Sequence, residues 1–292
     1  GYANGESYNT WIGRDSGRYT GQAAANTAIG YKAYQSSTAS VVTGNLNSST
    51  TVSGVSDVSE LAAGQSITGT GIDFGTYIAS VDSGTQITLS QAATTTQNGV
   101  SLTAYKGSGD SNTCIGYQAG QDLTTGSENI FIGRNAGVNC TTNSTNVAIG
   151  VYAFDAANGG ETSNVAIGYA ALGSEASGAD YCTAVGHSAL LSQNANVKNT
   201  AVGGYAGDAI TTSGSNTLVG YLAGSSLDTS ANGDQNTAIG HAAMNAKKGT
   251  MNVAVGYAAL DAAGTANYNV AIGHSAGTEI TDGPGNVLIG RN

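Results

Sequence analysis

The amino-acid sequence predicts an all-β fold, a parallel β-solenoid of about 13 turns with one small β domain inserted between two of them. A motif of the form Asn-Thr-Ala-Ile-Gly recurs about every 17 residues, and a single gap of 86 residues interrupts the series. Ile and Val hold fixed places in the motif, although 44 of the 292 residues are glycine. A short fixed period is typical of solenoids, because each turn buries a core only by stacking on its neighbours.

The motif has a defined residue type at most of its positions. We call its asparagine position 1 and its glycine position 5. The glycine occurs thirteen times, as Gly13, Gly30, Gly116, Gly133, Gly150, Gly168, Gly186, Gly203, Gly220, Gly240, Gly256, Gly273 and Gly290. Representative sets for positions 1, 4 and 5 are Asn26, Ile29 and Gly30, then Asn146, Ile149 and Gly150, then Asn252, Val255 and Gly256.

Position 1 is asparagine in every copy except the one that holds Cys182. A carboxamide at the same place in each turn hydrogen-bonds to the turns above and below, as asparagine ladders do in stacked parallel strands. Asparagine also tolerates the left-handed backbone of a tight corner. We therefore predict an asparagine ladder, with glycosylation or ligand binding as the alternative.

Positions 2 to 4 predict a short strand with two apolar faces. Position 4 is Ile or Val in all thirteen copies, position 2 is Thr, Val or Ile, and position 3 is mostly Ala. Because side chains alternate along a strand, positions 2 and 4 share one face and position 3 occupies the other. We expect positions 2 and 4 to fill the interior, and position 3 residues such as Ala201 and Ala254 to lie between copies of the chain.

The second half of the motif predicts corners. Glycine at position 5 permits a bend or the close approach of another backbone. Position 8 is mostly Ala, and position 9 is either Gly or a bulky residue such as Tyr34 or Phe154. The remaining residues are largely Thr, Ser, Gly, Asn and Asp, which favour turns. Each copy is expected to form two short strands and two corners of a narrow β-roll.

The 86-residue gap predicts an insertion at one corner. Subtracting one turn of 17 residues from 86 leaves about 69 inserted residues, and a surface corner tolerates such an insertion at small cost. We assign 1–37 to solenoid repeats, 38–105 to an inserted small β-sandwich-like domain or barrel, and 106–292 to the main solenoid. The turn of Gly116 should then stack on that of Gly30. Five inserted stretches predict strands: 51–55, 65–69, 77–81, 86–90 and 100–104.

The phrases NTAIGYKA, NTCIGYQAG, NVAIGYAAL and NTAIGHAAM resemble the repeats of bacteriophage tail-fibre proteins. They are also similar to the shorter head repeats of trimeric autotransporter adhesins, although the 17-residue period fits the phage repeats better. The resemblance implies β-rolls packed as a homotrimeric bundle in an extracellular virion fibre. The implied partners are other virion tail proteins and a glycan or protein receptor on the host surface, which the inserted domain either contacts or leaves to other parts of the fibre.

Two alternatives to a phage fibre remain open at this stage. One is a bacterial trimeric adhesin at the cell surface, and the other is a tailspike that degrades polysaccharide. We expect the chain to be a processed segment or a fragment of a longer protein.

Position 6 is the candidate ligand-facing column, since all three histidines fall there among tyrosines and arginines. Its proposed members are Tyr117, His187, Tyr221, His241, Tyr257 and His274. Stacked tyrosines bind sugar rings in some settings but also pack well against each other. Threefold symmetry would bring three copies of one histidine together as a metal or anion site. The alternative is a half-exposed edge that accepts any polar-ended side chain.

No catalytic, cofactor-binding or metal-binding motif is recognised in the sequence. The acidic residues of the corners are expected to be solvated: Asp15, Asp122, Asp155, Asp208, Asp228, Asp261 and Glu279. Cys114, Cys140 and Cys182 are expected to be small buried residues rather than a disulfide framework.

The net charge of the chain argues against two classes of binding partner. A formal charge of −10 with only nine Lys and Arg argues against nucleic acid and anionic membrane surfaces. No apolar run approaches the length of a membrane span, so membrane insertion is not expected.

Overall fold

The computed structural model describes residues 8–18, 23–35, 39–73, 76–105, 109–174, 178–195, 198–227, 234–246, 249–261 and 264–291. The described residues contain strands and turns but no α-helix, and hence no helix able to cross a membrane. The strands are β1 (Thr10–Ile12), β2 (Thr27–Ile29), β3 (Ala39–Asn47), β4 (Thr51–Ser53), β5 (Ser66–Gly69), β6 (Ile78–Ser83), β7 (Gln86–Leu89), β8 (Thr96–Tyr105), β9 (Thr113–Ile115), β10 (Ile130–Ile132), β11 (Val147–Ile149), β12 (Val165–Ile167), β13 (Thr183–Val185), β14 (Thr200–Val202), β15 (Thr217–Val219), β16 (Thr237–Ile239), β17 (Val253–Val255), β18 (Val270–Ile272) and β19 (Val287–Ile289).

The chain divides into two compact units, 1–129 with 139–142, and 130–138 with 143–292. In the first unit, β1, β2 and β9 are parallel repeat strands. In the second unit, β10 to β19 are parallel and pair in sequence order. One three-residue strand thus represents each of the thirteen repeats in the described residues, which confirms the predicted β-solenoid. The second strand that we expected in each turn is absent there, because corner backbone occupies its place.

The insertion leaves the stacking of the turns unbroken, as predicted. Strand β2 pairs with β9 in register, with Thr27 opposite Thr113 and Ile29 opposite Ile115. The inserted chain leaves and returns through one antiparallel pair of strands, in which Ala39 lies opposite Tyr105. The predicted domain borders themselves fall in 36–38 and 106–108, outside the described residues.

The inserted domain is a six-stranded antiparallel sheet in the order β5-β8-β3-β4-β7-β6. Its two outer strands meet through a bridge between Ser66 and Tyr77, so the sheet closes toward a barrel around its own apolar core. All five strands predicted for this segment are present. Strand β3 escaped prediction because its sequence, ASVVTGNLN, mixes polar residues and a central glycine into the alternation.

Removing 38–105 and joining the ends with a short Gly/Ser link is expected to leave the solenoid folded. The in-register pairing of β2 with β9 and the separate core of the insert are the physical reasons. Circular dichroism and thermal melting of the deletion variant would measure this, with the full chain as the reference. Loss of the strand signal would show that the insert belongs to the solenoid core.

The side chains of the repeat strands face the opposite way from our expectation. Position 3 is buried inside each turn, with at most 1% exposure from Ala28 to Ala271. Positions 2 and 4 point outward and are half-buried or exposed, including Ile149 and Val255. The prediction that Ala201 and Ala254 lie between chains is therefore wrong, as is the inward placement of Ile and Val.

The narrow interior explains this facing, because positions 3 and 9 share one space. Where position 3 is large, position 9 is glycine: a Cβ on Gly137 would lie 2.8 Å from the ring of Phe131, and one on Gly17 only 2.2 Å from that of Trp11. Where position 3 is Ala148, position 9 is the fully buried Phe154. Cores are close-packed, so a turn this narrow has room for one large residue at the pair but not for two.

The corners are built from left-handed backbone. Positions 7 and 9 of the described turns take φ between about +46° and +73°, and so do most residues that precede position 1; examples are Tyr181, Ser188 and Leu190. Position 5 takes φ near +135°, a region that is open essentially to glycine alone. A Cβ on Gly203 would lie 2.3 Å from the carbonyl oxygen of Gly220. Glycine at position 5 therefore serves both the backbone conformation and the close approach of turns, as predicted.

The asparagine ladder is confirmed, and it joins each turn to the next. The Oδ1 of Asn252 accepts the backbone N–H of Asn269 at 2.9 Å, and its Nδ2 donates to the carbonyl of Ala266 at 3.1 Å. Asn216 and Asn236 repeat the N–H to Oδ1 bond at 2.9 Å. These side chains are fully buried, so the ladder satisfies polar groups that are costly to leave unpaired.

At Cys182 a second amide replaces the missing carboxamide. The buried Gln193 donates from Nε2 to the Cys182 sulfur at 2.8 Å, and its Oε1 accepts from Asn199 Nδ2 at 3.0 Å. The three cysteines Cys114, Cys140 and Cys182 are buried free thiols, as expected.

Candidate binding surface

The outward side chains of the second unit form a continuous surface that we call the outer stripe. It consists of positions 2 and 4 of β10 to β19, which are Thr, Val or Ile in all ten strands. Several of these aliphatic side chains are unusually exposed to solvent, such as Val202 at 38% and Ile272 at 40%. A monomeric protein seldom exposes an extended apolar surface of this kind, and such surfaces usually mark interaction sites.

A row of stacked rings, which we call the aromatic ladder, lies at the end of each strand beyond the position 5 glycine. Its members are Tyr152, Tyr169, His187, Tyr205, Tyr221, His241, Tyr257 and His274. His241 and Tyr257 stack with centroids 5.1 Å apart, and Tyr257 and His274 with centroids 4.9 Å apart. These distances follow from the spacing of parallel strands, since each turn contributes one ring.

Position 7 supplies a ring where position 6 lacks one. Position 6 is Val151 in one turn and Gly204 in another, and the next residues, Tyr152 and Tyr205, enter the ladder there. Both meet the following tyrosine edge to face, at 83° and 88° between ring planes. Our sequence reasoning missed these two members, although each tyrosine directly follows a ring-free position 6.

Arginine covers the start of the ladder. The guanidinium of Arg134 lies 4.7 Å from the ring centroid of Tyr152, within the range of a cation–π contact. The first unit has a shorter arrangement of the same kind, with Arg14 over Tyr31 at 5.8 Å and Tyr31 packed against Tyr117 at 5.5 Å.

The structure brings five of the six proposed column residues, His187, Tyr221, His241, Tyr257 and His274, into one ladder and places the sixth, Tyr117, in the first unit. All six are exposed, as Tyr257 is at 52%. Stacking covers the ring faces in the ladder and leaves mainly edges outward. A sugar ring binds to the face of an aromatic ring, so this geometry does not favour sugar stacking. Ligand binding by this column stays a prediction.

The described residues contain no group of three His, Cys, Asp or Glu side chains placed to hold a metal ion. Within one chain the ladder histidines are separated by other rings: Tyr205 and Tyr221 lie between His187 and His241, and Tyr257 lies between His241 and His274. The structure therefore offers no chelating pair in the ladder.

Five of the corner carboxylates are half-buried and thus less solvated than we expected, whereas Glu279 is exposed as predicted; the five are Asp15, Asp122, Asp155, Asp208 and Asp261. Burial raises the pKa of Asp155 to about 6 and also raises the pKa of Asp261, while backbone hydrogen bonds oppose the shift in both. Asp208 accepts a hydrogen bond from the hydroxyl of Ser225 at 2.5 Å. The predicted corner residue Asp228 lies outside the described residues. A raised pKa in a cleft is a common mark of catalysis, but burial is the main cause of the raised pKa of Asp155.

Asp155 should make the protein less stable as the pH rises. Its folded-state pKa is above its unfolded value, so its contribution is complete below the unfolded pKa and is lost as the pH passes through about 6. We expect Asp155→Asn to melt higher than the wild type at pH 7.5, with the difference vanishing near pH 4. Asp82→Asn is the control with the opposite sign, since hydrogen bonds from Ser80 and Thr88 lower the pKa of Asp82. Equal curves for wild type and Asp155→Asn at every pH would contradict the assignment.

Comparison with known proteins does not decide the function. No protein-family model, curated protein or solved structure matches this chain. The functional argument therefore rests on the outer stripe and the aromatic ladder.

Proposed function

We propose that this chain is a non-catalytic structural and adhesive segment of a homotrimeric virion fibre. In this role the solenoid forms the shaft of a phage tail fibre, joins other tail proteins, and carries contacts to a glycan or protein on the host surface. The trimeric state and the virion setting are taken from the resemblance of the repeats to those of phage tail-fibre proteins. The observation that carries self-assembly is the outer stripe.

The outer stripe fits burial against a second copy better than exposure to water. Its ten strands span about 50 Å at the usual strand spacing, and the three residues of each strand span about 10 Å, which gives about 500 Å². This is the same order as the roughly 800 Å² that each partner contributes to a stable interface. The stripe carries no charge at positions 2 and 4, so its burial involves no unpaired ion.

Sedimentation of the purified chain tests the assembly. We expect a particle of three times 28.8 kDa, and we expect Val202→Glu with Val219→Glu to release monomers that remain folded. Asn194→Glu with Ser226→Glu is the matched control, because this pair adds the same two charges at exposed corners. A wild-type monomer, or a double variant that stays trimeric, would overturn the proposal.

The adhesive part of the proposal needs a separate measurement. The trimer should be retained on purified bacterial surface polysaccharide or on intact cells without shortening the polysaccharide. Release of oligosaccharide fragments would instead indicate a degrading tailspike.

A further inference from the structure

The outer stripe has two different borders, and each bulky apolar residue of one border lies in the same turn as a ring of the other. The aromatic ladder borders it after each strand. Before each strand lies the residue that precedes position 1, and we call this column the opposite border. In the second unit the bulky members of the opposite border are Tyr181, Met251 and Tyr268, which are 62%, 43% and 58% exposed.

These exposed side chains are held in a conformation that costs free energy. Tyr181, Met251 and Tyr268 have φ of 59°, 56° and 60°, in the left-handed region that residues with a Cβ seldom occupy. Large apolar side chains held outward in this way indicate a contact beyond the single chain.

The bulky residues occur in turns that also carry a position 6 ring. Tyr181 shares its turn with His187, Met251 with Tyr257, and Tyr268 with His274. The one lysine of this border, Lys198, shares its turn with Gly204, where position 6 has no side chain to obstruct it. Within its own chain the Lys198 ammonium lies 6.0 Å from the ring centroid of Tyr181, and the lack of a side chain at Gly204 leaves the ring of Tyr205 open to an ammonium from another copy.

We infer that the opposite border of one copy packs on the aromatic ladder of the next copy, at the same turn and with the chains parallel. This inference rests on the proposed self-assembly and adds which surfaces meet. Joining two different borders makes a head-to-tail contact, which closes into a ring when the rotation permits. The ladder is then an assembly surface, with its ring edges covered by Tyr181, Met251 and Tyr268 of a neighbour.

Paired cysteines test the contact in the assembled full-length chain. Tyr268→Cys with His274→Cys should be joined between chains by a short bismaleimide linker into covalent trimers on a denaturing gel, and so should Met251→Cys with Tyr257→Cys. Each single variant should remain uncrosslinked, and mixing Tyr268→Cys with His274→Cys chains before assembly should give crosslinked dimers. The native cysteines are buried and provide the background, measured on the unaltered chain.

Three outcomes overturn the inference while the assembly survives in sedimentation. The first is crosslinking of His274→Cys alone, which would place two ladders against each other. The second is efficient crosslinking of the out-of-register pair Tyr181→Cys with His274→Cys. The third is a lack of crosslinking by both in-register pairs. A monomer in sedimentation would instead defeat the proposed self-assembly itself, so the two failures are distinguishable.

Discussion

Replacing Ala201 with glutamate is expected to unfold the turns around it, whereas the same change at the adjacent Val202 should leave them folded. Ala201 is fully buried inside its turn, and Val202 is 38% exposed on the outer stripe. Burying an unpaired carboxylate costs several kcal/mol, and protonating it still leaves a long side chain in a space sized for a methyl group. We expect a loss above about 4 kcal/mol for Ala201→Glu.

The comparison is sharp because both substitutions lie in one three-residue strand and introduce the same side chain. Thermal melting followed by circular dichroism would measure it, and hydrogen exchange would locate the damage to neighbouring turns. Ala254→Glu and Val255→Glu repeat the test three strands away. If Val202→Glu melted lower than Ala201→Glu, the facing of the strand would be the reverse of that described here.

Gly203→Ala is expected to be nearly as damaging, although it adds only a methyl group. The φ of Gly203 is 142°, and the new Cβ would lie 2.3 Å from the carbonyl oxygen of Gly220 in the next turn. Backbone strain and overpacking together should cost about 2–6 kcal/mol. The carbonyl belongs to the backbone and accepts the N–H of Ala223 at 3.3 Å, so the clash has no inexpensive relief.

Gly204→Ala provides the matched control for this effect. The nearest atoms to a Cβ on Gly204 are carbons of the Tyr221 ring at 3.4 and 3.7 Å, and its φ lies outside the left-handed region. Alanine at a compatible glycine usually stabilises by about 0.4–1 kcal/mol through the unfolded chain. Equal melting temperatures for the two alanine variants would contradict the close approach of turns at position 5.

The spacing of the motif was sufficient to predict the solenoid, the continuity of its strands across the insertion, and the asparagine ladder. These features depend on periodicity and on one hydrogen-bonding group, both of which are explicit in the sequence. The pairing of Thr27 with Thr113 follows from the same period once the 86-residue gap is treated as one turn plus an insertion.

The facing of the strands was predicted wrongly because both faces are apolar, and alternation alone assigns residues to faces without saying which face is inside. We chose the larger Ile and Val for the interior. The deciding signal was the exchange of volume between positions 3 and 9, where Phe131 accompanies Gly137 and Ala148 accompanies Phe154. When the side chain at one position is small wherever the other is large, the two positions share one confined space, and here that space is the interior of the turn.

The composition of the binding surface was predictable only in part. The histidines and tyrosines of position 6 were found by their column, but Tyr152 and Tyr205 enter the ladder from position 7 at a corner whose backbone the sequence does not describe. The half-burial of Asp155 likewise depends on how neighbouring turns cover a corner, which is a tertiary effect.

The asparagine ladder gives the solenoid a direction. The Oδ1 of Asn252 accepts the N–H of Asn269 and its Nδ2 donates to the carbonyl of Ala266, both in the turn that follows. The Nδ2 also donates to the Oδ1 of Asn236 in the preceding turn at 3.3 Å, so the oxygen is the group that always points forward. A completed turn therefore presents a donor and an acceptor before its successor has folded. Synthesis delivers the amino-terminal turns first, so we expect each newly made turn to dock on a turn that has already folded, and folding to proceed from the amino terminus toward the carboxyl terminus.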